Sequence, residues 1–327
     1  MVSTVGFSPL LCTPLVPKLS LGLIRWKIIM HAFIDGFSRL VTGIRASNNN
    51  RAQTVLDLFT AIIDVWGMPS RTRGDHGIEN LLVAACMEAM RGIERGSYIW
   101  GRLVLFHRHV REQSSYEIHR SVHNIRIERL WCDVTQGFGA KWKIFFQGLE
   151  IHNGLIVDRD AHIWLLHHLF LPAINSDAEE WSDAWNNHSL SFRGERQRSP
   201  ADMYLFGMIQ NGTRGIHIDD EEVDDIEAYG IDWEDYDDDR ILNHHNQGNP
   251  VDNQGDNPFS ADSHRPAAEN MSRVDVVEPG CPLTTDQLRY LDSQLETLPY
   301  IHDRSMEMRR LIWISALNIC DYLLTNH

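Results

Sequence analysis

Two stretches decide the fold of this chain: RGDHGIEN at residues 73–80 and SVHNIRIERLW at residues 121–131. In the first, Asp75 ends a short apolar-to-basic run and is followed by a His-Gly pair, so we expect a strand to stop there and deliver a carboxylate. In the second, Asn124 and Glu128 stand four residues apart, which places both side chains on one face of a helix. The sequence therefore predicts one carboxylate at a strand end and another on a helix.

The residues upstream predict a sheet with a helix packed on it. Lys27–Asp35 and Leu40–Arg45 are rich in β-forming residues, and Gly36–Arg39 between them is typical of a hairpin turn. Arg51–Trp66 has apolar residues at helical spacing, with Asn50 available to cap its start.

Strands and helices alternate from there to the second motif. Ser70–Gly74 is predicted as a short strand that delivers Asp75, and Ser97–Trp100 as a further strand. Glu79–Arg91 and the long Ser121–Phe146 are predicted as helices. The order fits an RNase H-like fold in which the first strand is lost or damaged.

With FIDGFSRLVTGIRASNNNRAQTVLDLF at Phe33–Phe59, the motifs resemble the integrase core domain of the DDE transposase and retroelement integrase superfamily, in a transposon-derived branch known from fungi. The resemblance implies an α/β fold, with an RNase H-like mixed sheet flanked by helices over residues 23–218. A helical extension and an acidic, partly disordered tail would follow it. The implied function is DNA integration or transposition, by cleavage and strand transfer at phosphodiesters with two Mg²⁺ (or Mn²⁺) ions.

The resemblance also assigns roles to residues. Asp75 and Glu128 are expected as catalytic metal ligands, and Asp35 as a further catalytic candidate, since hard divalent ions prefer oxygen ligands. The residues expected around the substrate are His76, Asn80, His123, Asn124 and Arg129.

The first catalytic aspartate of the family has no counterpart here. Residues 1–34 contain no Asp or Glu, and Lys18 stands at the expected position. Asp35 resembles an aspartate of the second strand, which is not normally the first metal ligand. We therefore expect impaired catalysis, and the alternative is a catalytically inactive, domesticated module that binds nucleic acid or protein.

A second departure from the family is the insertion Leu103–Arg120. Its eighteen residues correspond to fifty-four nucleotides, and we interpret it as a translated intron. The alternative is a genuine basic loop in which Arg108 and Arg111 contact phosphate. In either case we expect a surface excursion, with Trp100 and Ser121 returning close to each other.

Charge divides the chain at Asp219. The net charge is −15, yet residues 1–218 carry 23 Lys and Arg against 20 Asp and Glu, and residues 219–327 carry 7 against 25. The front part is thus able to approach DNA, whereas residues 219–282 are predicted to be an acidic, low-complexity linker that is solvated or binds a basic partner. Asn243–Cys281 is expected to lack regular structure.

The two ends of the chain and its histidines complete these expectations. Residues 1–22 form a poorly defined N-terminal segment, and residues 283–327 a C-terminal helical segment, either a hairpin or an oligomerisation element. Ser199 is predicted to cap a helix that starts at Pro200. The histidines at positions 162, 167 and 168 are interpreted as helix-face residues, with a metal site as the alternative.

Cysteine usage and hydropathy limit the classes of function that this chain can have. The five cysteines form no CxxC pair, which argues against a zinc site and for reduced thiols inside a cell. No stretch has the length that a bilayer requires, so no membrane partner is expected. We expect a nuclear protein whose main partner is DNA.

Overall fold

The computed structural model describes residues 10–14, 22–74, 77–92, 97–100, 125–190, 197–212 and 276–325. Residues 10–14, 125–128 and 211 are described by their backbone alone. The predicted insertion and the predicted linker up to residue 275 lie outside the described residues.

Five described strands form one mixed sheet: β1 (Leu10–Pro14), β2 (Ile29–Asp35), β3 (Val41–Ser47), β4 (Thr72–Gly74) and β5 (Tyr98–Trp100). Their order across the sheet is β3-β2-β1-β4-β5. The first three strands are antiparallel, whereas β4 and β5 run parallel to β1. The first strand, which the sequence analysis allowed to be lost, is therefore present, and it lies in the centre of the sheet.

The described helices are α1 (Ala52–Trp66), α2 (Leu81–Arg91), α3 (Ile125–Val134), α4 (Ala140–His152), α5 (Asp160–Asn187), α6 (Pro200–Asn211), α7 (Thr285–Glu296) and α8 (Met306–Thr325). A π-helical segment, Thr135–Gly139, joins α3 to α4 without a break. Helices flank the sheet, and the mixed α/β class predicted from the sequence is confirmed.

A capping residue explains the start of α6. The Ser199 hydroxyl accepts a hydrogen bond from the Asp202 amide at 3.1 Å, as predicted. At α1 the predicted cap, Asn50, is wrong, because Arg51 is the residue at the cap position and it makes no side-chain capping bond. The Asn49 side chain accepts from the Arg51 amide at 3.1 Å and from the Thr54 hydroxyl at 2.6 Å just before the helix.

The sheet separates two hydrophobic clusters, because successive side chains of a strand point to opposite faces. Phe33 of β2 packs with side chains of α1 and α2. Ala32 and Ile34 pack in the larger cluster, which contains side chains of α3, α4 and α5. The helix that carries Glu128 is thus on the Ile34 face of the sheet.

Helix α5 covers the outer edge of the sheet, where β3 lies. The Asn186 side chain accepts from the Val41 amide at 2.8 Å and donates to the Val41 carbonyl at 2.9 Å. Asn175 makes the same pair of bonds with Ala46, at 2.7 and 3.1 Å. These amides satisfy backbone groups that an edge strand would otherwise leave open.

The C-terminal hairpin of α7 and α8 packs on the core. The buried side chain of Trp313 belongs to the same cluster as α4 and α5, and its indole nitrogen donates to the Asn153 carbonyl at 2.9 Å. Arg304 contacts Asp177 of α5 at 3.2 Å. The segment predicted as a hairpin or an oligomerisation element thus forms two helices, and its apolar face packs within the chain.

The three histidines of α5 contact protein groups. A ring nitrogen of His167 lies 2.7 Å from the Trp26 carbonyl, and one of His168 lies 2.7 Å from the Asp292 carboxylate. The Nδ1 atom of His162 accepts from the Ile156 amide at 3.1 Å. The interpretation as helix-face residues fits these contacts.

No helix of the described part is both long and apolar enough to cross a membrane.

Replacing Trp313 by Ala should lower the free energy of unfolding by about 3–5 kcal/mol, because it opens a cavity in the shared core. Tyr322→Ala on the same helix is the matched control, since this side chain is 63% exposed, and it should change stability by about 0.5 kcal/mol or less. Urea unfolding of the full chain measures both. Equal effects of the two changes would show that the hairpin does not contribute to the core.

Stability should also fall between pH 7 and pH 5 because of His31 in β2. Burial lowers the pKa of His31 to about 4. The folded state therefore keeps this ring neutral while the unfolded state takes up a proton below its ordinary pKa, near 6.5. Since the unfolded state binds more protons, stability is lost as the pH falls, by about 2 kcal/mol at pH 5.

The His31→Leu variant has no titrating group at this position and should lose correspondingly less stability over the same pH interval. Urea titrations of both proteins at pH 7 and pH 5 measure the difference. An identical pH dependence of the two would contradict the assignment.

Candidate active site

The first motif begins at the carboxyl end of β4. Gly74 is the last residue of this strand, and Asp75 and His76, which follow it, lie outside the described residues. Arg73 is buried and in register with Leu11 of β1. The strand predicted to deliver Asp75 is thus present, next to the central strand of the sheet.

The residues after Asp75 turn directly into a helix. Ile78–Asn80 form one 3₁₀ turn that continues into α2, and Asn80 is fully buried. Glu79, which the sequence analysis did not single out, is also buried, and its carboxylate fills the space that a Cβ at Gly77 would need. From the sequence, a Glu in the first turn of a helix would be interpreted as a surface residue that favours the helix dipole.

The second motif lies at the start of α3. Glu128 is part of this helix, but its side chain, like His123 and Asn124, lies outside what is described. Leu130 and Trp131 are buried in the larger cluster and fix this end of the helix against the core. Arg129 is half-buried, and it is the one predicted substrate contact that is both described and accessible.

Asp35 has a structural role in the turn between β2 and β3. Its carboxylate accepts from the Ser38 amide at 2.8 Å and from the Ser38 hydroxyl at 2.7 Å, and the side chain is fully buried. Its backbone closes the same turn, because the Arg39 amide donates to the Asp35 carbonyl at 2.9 Å. Arg39 takes a positive φ of 62° there.

The sheet register separates Asp35 from the end of β4. Leu10, the first residue of β1, pairs with Asp35 on one side and with Thr72, the first residue of β4, on the other. Asp35 is therefore level with the beginning of β4, whereas Asp75 follows its end. By strand alternation Asp35 shares a face with Phe33, opposite the face of Ile34 on which α3 packs.

The central strand supplies no carboxylate. β1 has the sequence LLCTP, and it ends four residues before Lys18, which lies outside the described residues. Leu11 is in register with Ile34, and Thr13 with Ala32. Positions 11 and 13 of β1 are therefore level with the residues of β2 that pack in the same cluster as α3.

The two residues predicted to bind metal, Asp75 and Glu128, have the carboxylate oxygens that Mg²⁺ and Mn²⁺ prefer, and both side chains lie outside what is described. Among the described residues, no group of three or more His, Cys, Asp or Glu side chains is placed to hold a metal ion.

Comparison with known proteins identifies the family of the chain. No curated protein and no solved structure matches the chain. A family model described as integrase core domain matches residues 19–216, which include β2 to α6 and both motifs. Because this match covers more than half of the sequence, the chain belongs to the integrase core domain family.

Proposed function

We propose that this protein is a DDE integrase- or transposase-like protein of DNA integration or transposition, with catalysis impaired by the loss of the first catalytic aspartate. The membership of the integrase core domain family supports the first part. The impaired catalysis is supported by the sequence of the central strand, LLCTP. It contains no carboxylate at the positions in register with Ala32 and Ile34.

The sheet supports an RNase H-like interpretation of the fold. Three antiparallel strands are followed by two strands parallel to the first, in the order β3-β2-β1-β4-β5, and helices cover both faces. In this arrangement the first motif follows β4, which neighbours β1, and the second motif lies on α3, which packs in the cluster of the Ile34 face. Asp75 and Glu128 are the ligands we assign to a single Mg²⁺ or Mn²⁺.

In this proposal a bound metal ion would polarise a phosphodiester of DNA and stabilise the charge that develops on it. Asp75 and Glu128 hold the ion, and Asn124 orients the substrate one helical turn before Glu128. Arg129 contacts phosphate from the same helix, with His76 and His123 as further contacts. We assign Asp35 to the turn and not to the metal, because its Oδ2 atom accepts two hydrogen bonds from Ser38 and the residue is level with the beginning of β4.

The second candidate function is a catalytically inactive module that binds DNA or protein. The missing carboxylate of β1 favours it, since without a bridging ligand the second ion has no defined place. Both candidates share a nuclear location and an acidic segment after residue 218 that contacts a basic partner. They differ in whether metal-dependent cleavage remains.

Metal binding tests the proposed site. A titration of the full chain with Mn²⁺, followed by electron paramagnetic resonance, should show one weak site, because two carboxylates hold one ion loosely. Asp75→Asn and Glu128→Gln should each weaken binding about tenfold or more, by analogy with other lost metal contacts. Asp35→Asn is the matched control and should leave the affinity unchanged.

Loss of binding in Asp35→Asn, with the fold retained by circular dichroism, would show instead that Asp35 is a metal ligand. A wild-type protein without a saturable Mn²⁺ site would leave only the second candidate function.

Restoring a carboxylate on β1 tests the cause of the impairment. Leu11→Asp or Thr13→Asp, at the two positions in register with Ile34 and Ala32, should raise Mn²⁺-dependent nicking of plasmid DNA about tenfold or more over a low wild-type rate. Cys12→Asp is the matched control. It is in register with Phe33, whose side chain lies on the opposite face, and it should have no such effect.

A wild-type chain that nicks DNA as fast as either variant would contradict the proposed impairment. An equal gain from Cys12→Asp would show that the effect does not depend on the face of the sheet.

A further inference from the structure

We propose that this chain forms a symmetric dimer through the exposed face of α2, with a second copy of the same helix as the partner. Helix α2 has the sequence LLVAACMEAMR, and its only charged residues, Glu88 and Arg91, are half-buried. Its exposed residues are all apolar: Leu81, Leu82, Ala85, Ala89 and Met90. The dimer does not depend on metal binding, so its test is independent of the proposed function.

Such a face is unusual for a helix at the surface of a folded chain. A surface helix normally has charged and polar residues opposite its buried side, whereas a helix that is apolar all round is normally covered. The neighbouring α1 follows the usual pattern, because its exposed residues include Gln53, Asp57, Thr60 and Asp64. We therefore expect the outer side of α2 to be covered in the assembled protein.

Contacts with the core fix which side of α2 points outward. Val83 and Met87 are fully buried in the smaller cluster, together with side chains of α1. At the end of the helix the Arg91 guanidinium donates to the carbonyls of Met68 and Pro69, at 2.8 and 3.1 Å, just after α1. A rotation of the helix that buried its outer residues would expose the inner ones and break these bonds.

The chemistry of the face selects another apolar surface as its partner. Its five side chains include no cation or hydrogen-bond donor for the phosphates of DNA, and no charge that would orient a polar partner. Met90 and Val65, at the joined ends of α2 and α1, are 65% and 72% exposed. Removing such side chains from water is favourable through the hydrophobic effect.

The pattern of large and small residues fits a second copy of the same helix. Around a two-fold axis at Ala85, two antiparallel copies of α2 bring Leu81 against the partner's Ala89, and Ala85 against its own copy. A two-fold axis makes the contact of leucine with alanine twice. The alanines allow a close approach of the two helices, at about 8 Å between their axes.

The size of the face agrees with a weak dimer. Leu81 and Leu82 are 44% and 37% exposed, less than Met90 and Val65. The face together with Val65 offers on the order of 500 Å² of apolar surface per copy, so two copies would bury about 1,000 Å², the lower limit for a specific interface. We therefore expect a dissociation constant on the order of 10–100 μM.

Sedimentation velocity of the full chain tests the dimer, over a concentration range of about a thousandfold that spans this dissociation constant. The wild-type chain should shift from the mass of one copy to the mass of two. Ala85→Glu places a carboxylate against its own copy at the axis, so repulsion should weaken association about a hundredfold or more, and Ala85→Lys should do the same. An equimolar mixture of the two variants should associate to within about tenfold of wild type, because opposite charges then meet.

Ile144→Glu is the matched control, because it puts the same charge at an apolar position of α4 that is 68% exposed. It should leave association within about twofold of wild type. Thermal unfolding shows whether each variant is folded, as expected since Glu and Lys favour helices almost as well as Ala does. If Ala85→Glu does not fold, Met90→Glu takes its place and should weaken association about tenfold.

A wild-type chain that stays monomeric over the whole range would overturn the proposal, and so would a dimer that persists in both Ala85 variants or in Met90→Glu. A mixture of the Glu and Lys variants that does not associate would exclude a two-fold axis at Ala85 and overturn the proposed pairing. Equal weakening by Ile144→Glu would show that added charge is responsible and not the face of α2, which would also overturn it.

Discussion

The hydrogen bonds from Asn175 and Asn186 to β3 are the interaction on which the rest of the described structure depends. Each side-chain amide pairs with both backbone groups of one residue, as a neighbouring strand would, and together they hold α5 along the edge of the sheet. Because a buried backbone amide without a partner costs free energy, these bonds fix the helix in one register. Trp181, Trp185 and Asp177 lie on the helix placed in this way.

Two further sets of contacts involve side chains of α5. Trp181 and Trp185 link the turn closed by Asp35 to the π segment of the Glu128 helix. One helical turn earlier, the buried Asp177 accepts from the Trp142 indole at 2.7 Å and from Lys141 at 2.9 Å, and it contacts Arg304 of the C-terminal hairpin. A buried carboxylate is tolerated because several donors surround it. The hairpin beyond the matched family region is therefore bound to the same helix that contacts the π segment after α3.

The elements of the core could be predicted because their sequences are locally periodic. The strands β2 and β3, the helix α1 and the capped start at Ser199 all follow from alternation, helical spacing or turn residues. The first strand could not be placed in this way. Its five residues, LLCTP, are too few to show a period, and only the pairing with β2 and β4 identifies them as the centre of the sheet. Lys18, where the resemblance to the family places the first aspartate, follows the end of this strand by four residues.

The sequence by itself determined the family, since the motifs around Asp75 and Glu128 are contiguous and need no long-range contact to be read. It also showed that residues 1–34 contain no Asp or Glu. Only the tertiary structure decided where Asp35 lies and what it contacts, because these depend on the register with Leu10 and Thr72 and on the turn at Ser38. The position of the hairpin and the contact of Trp181 with Gly137 were likewise decided there. Such contacts join residues far apart in the chain, and neither local propensity nor spacing carries information about which of them will meet.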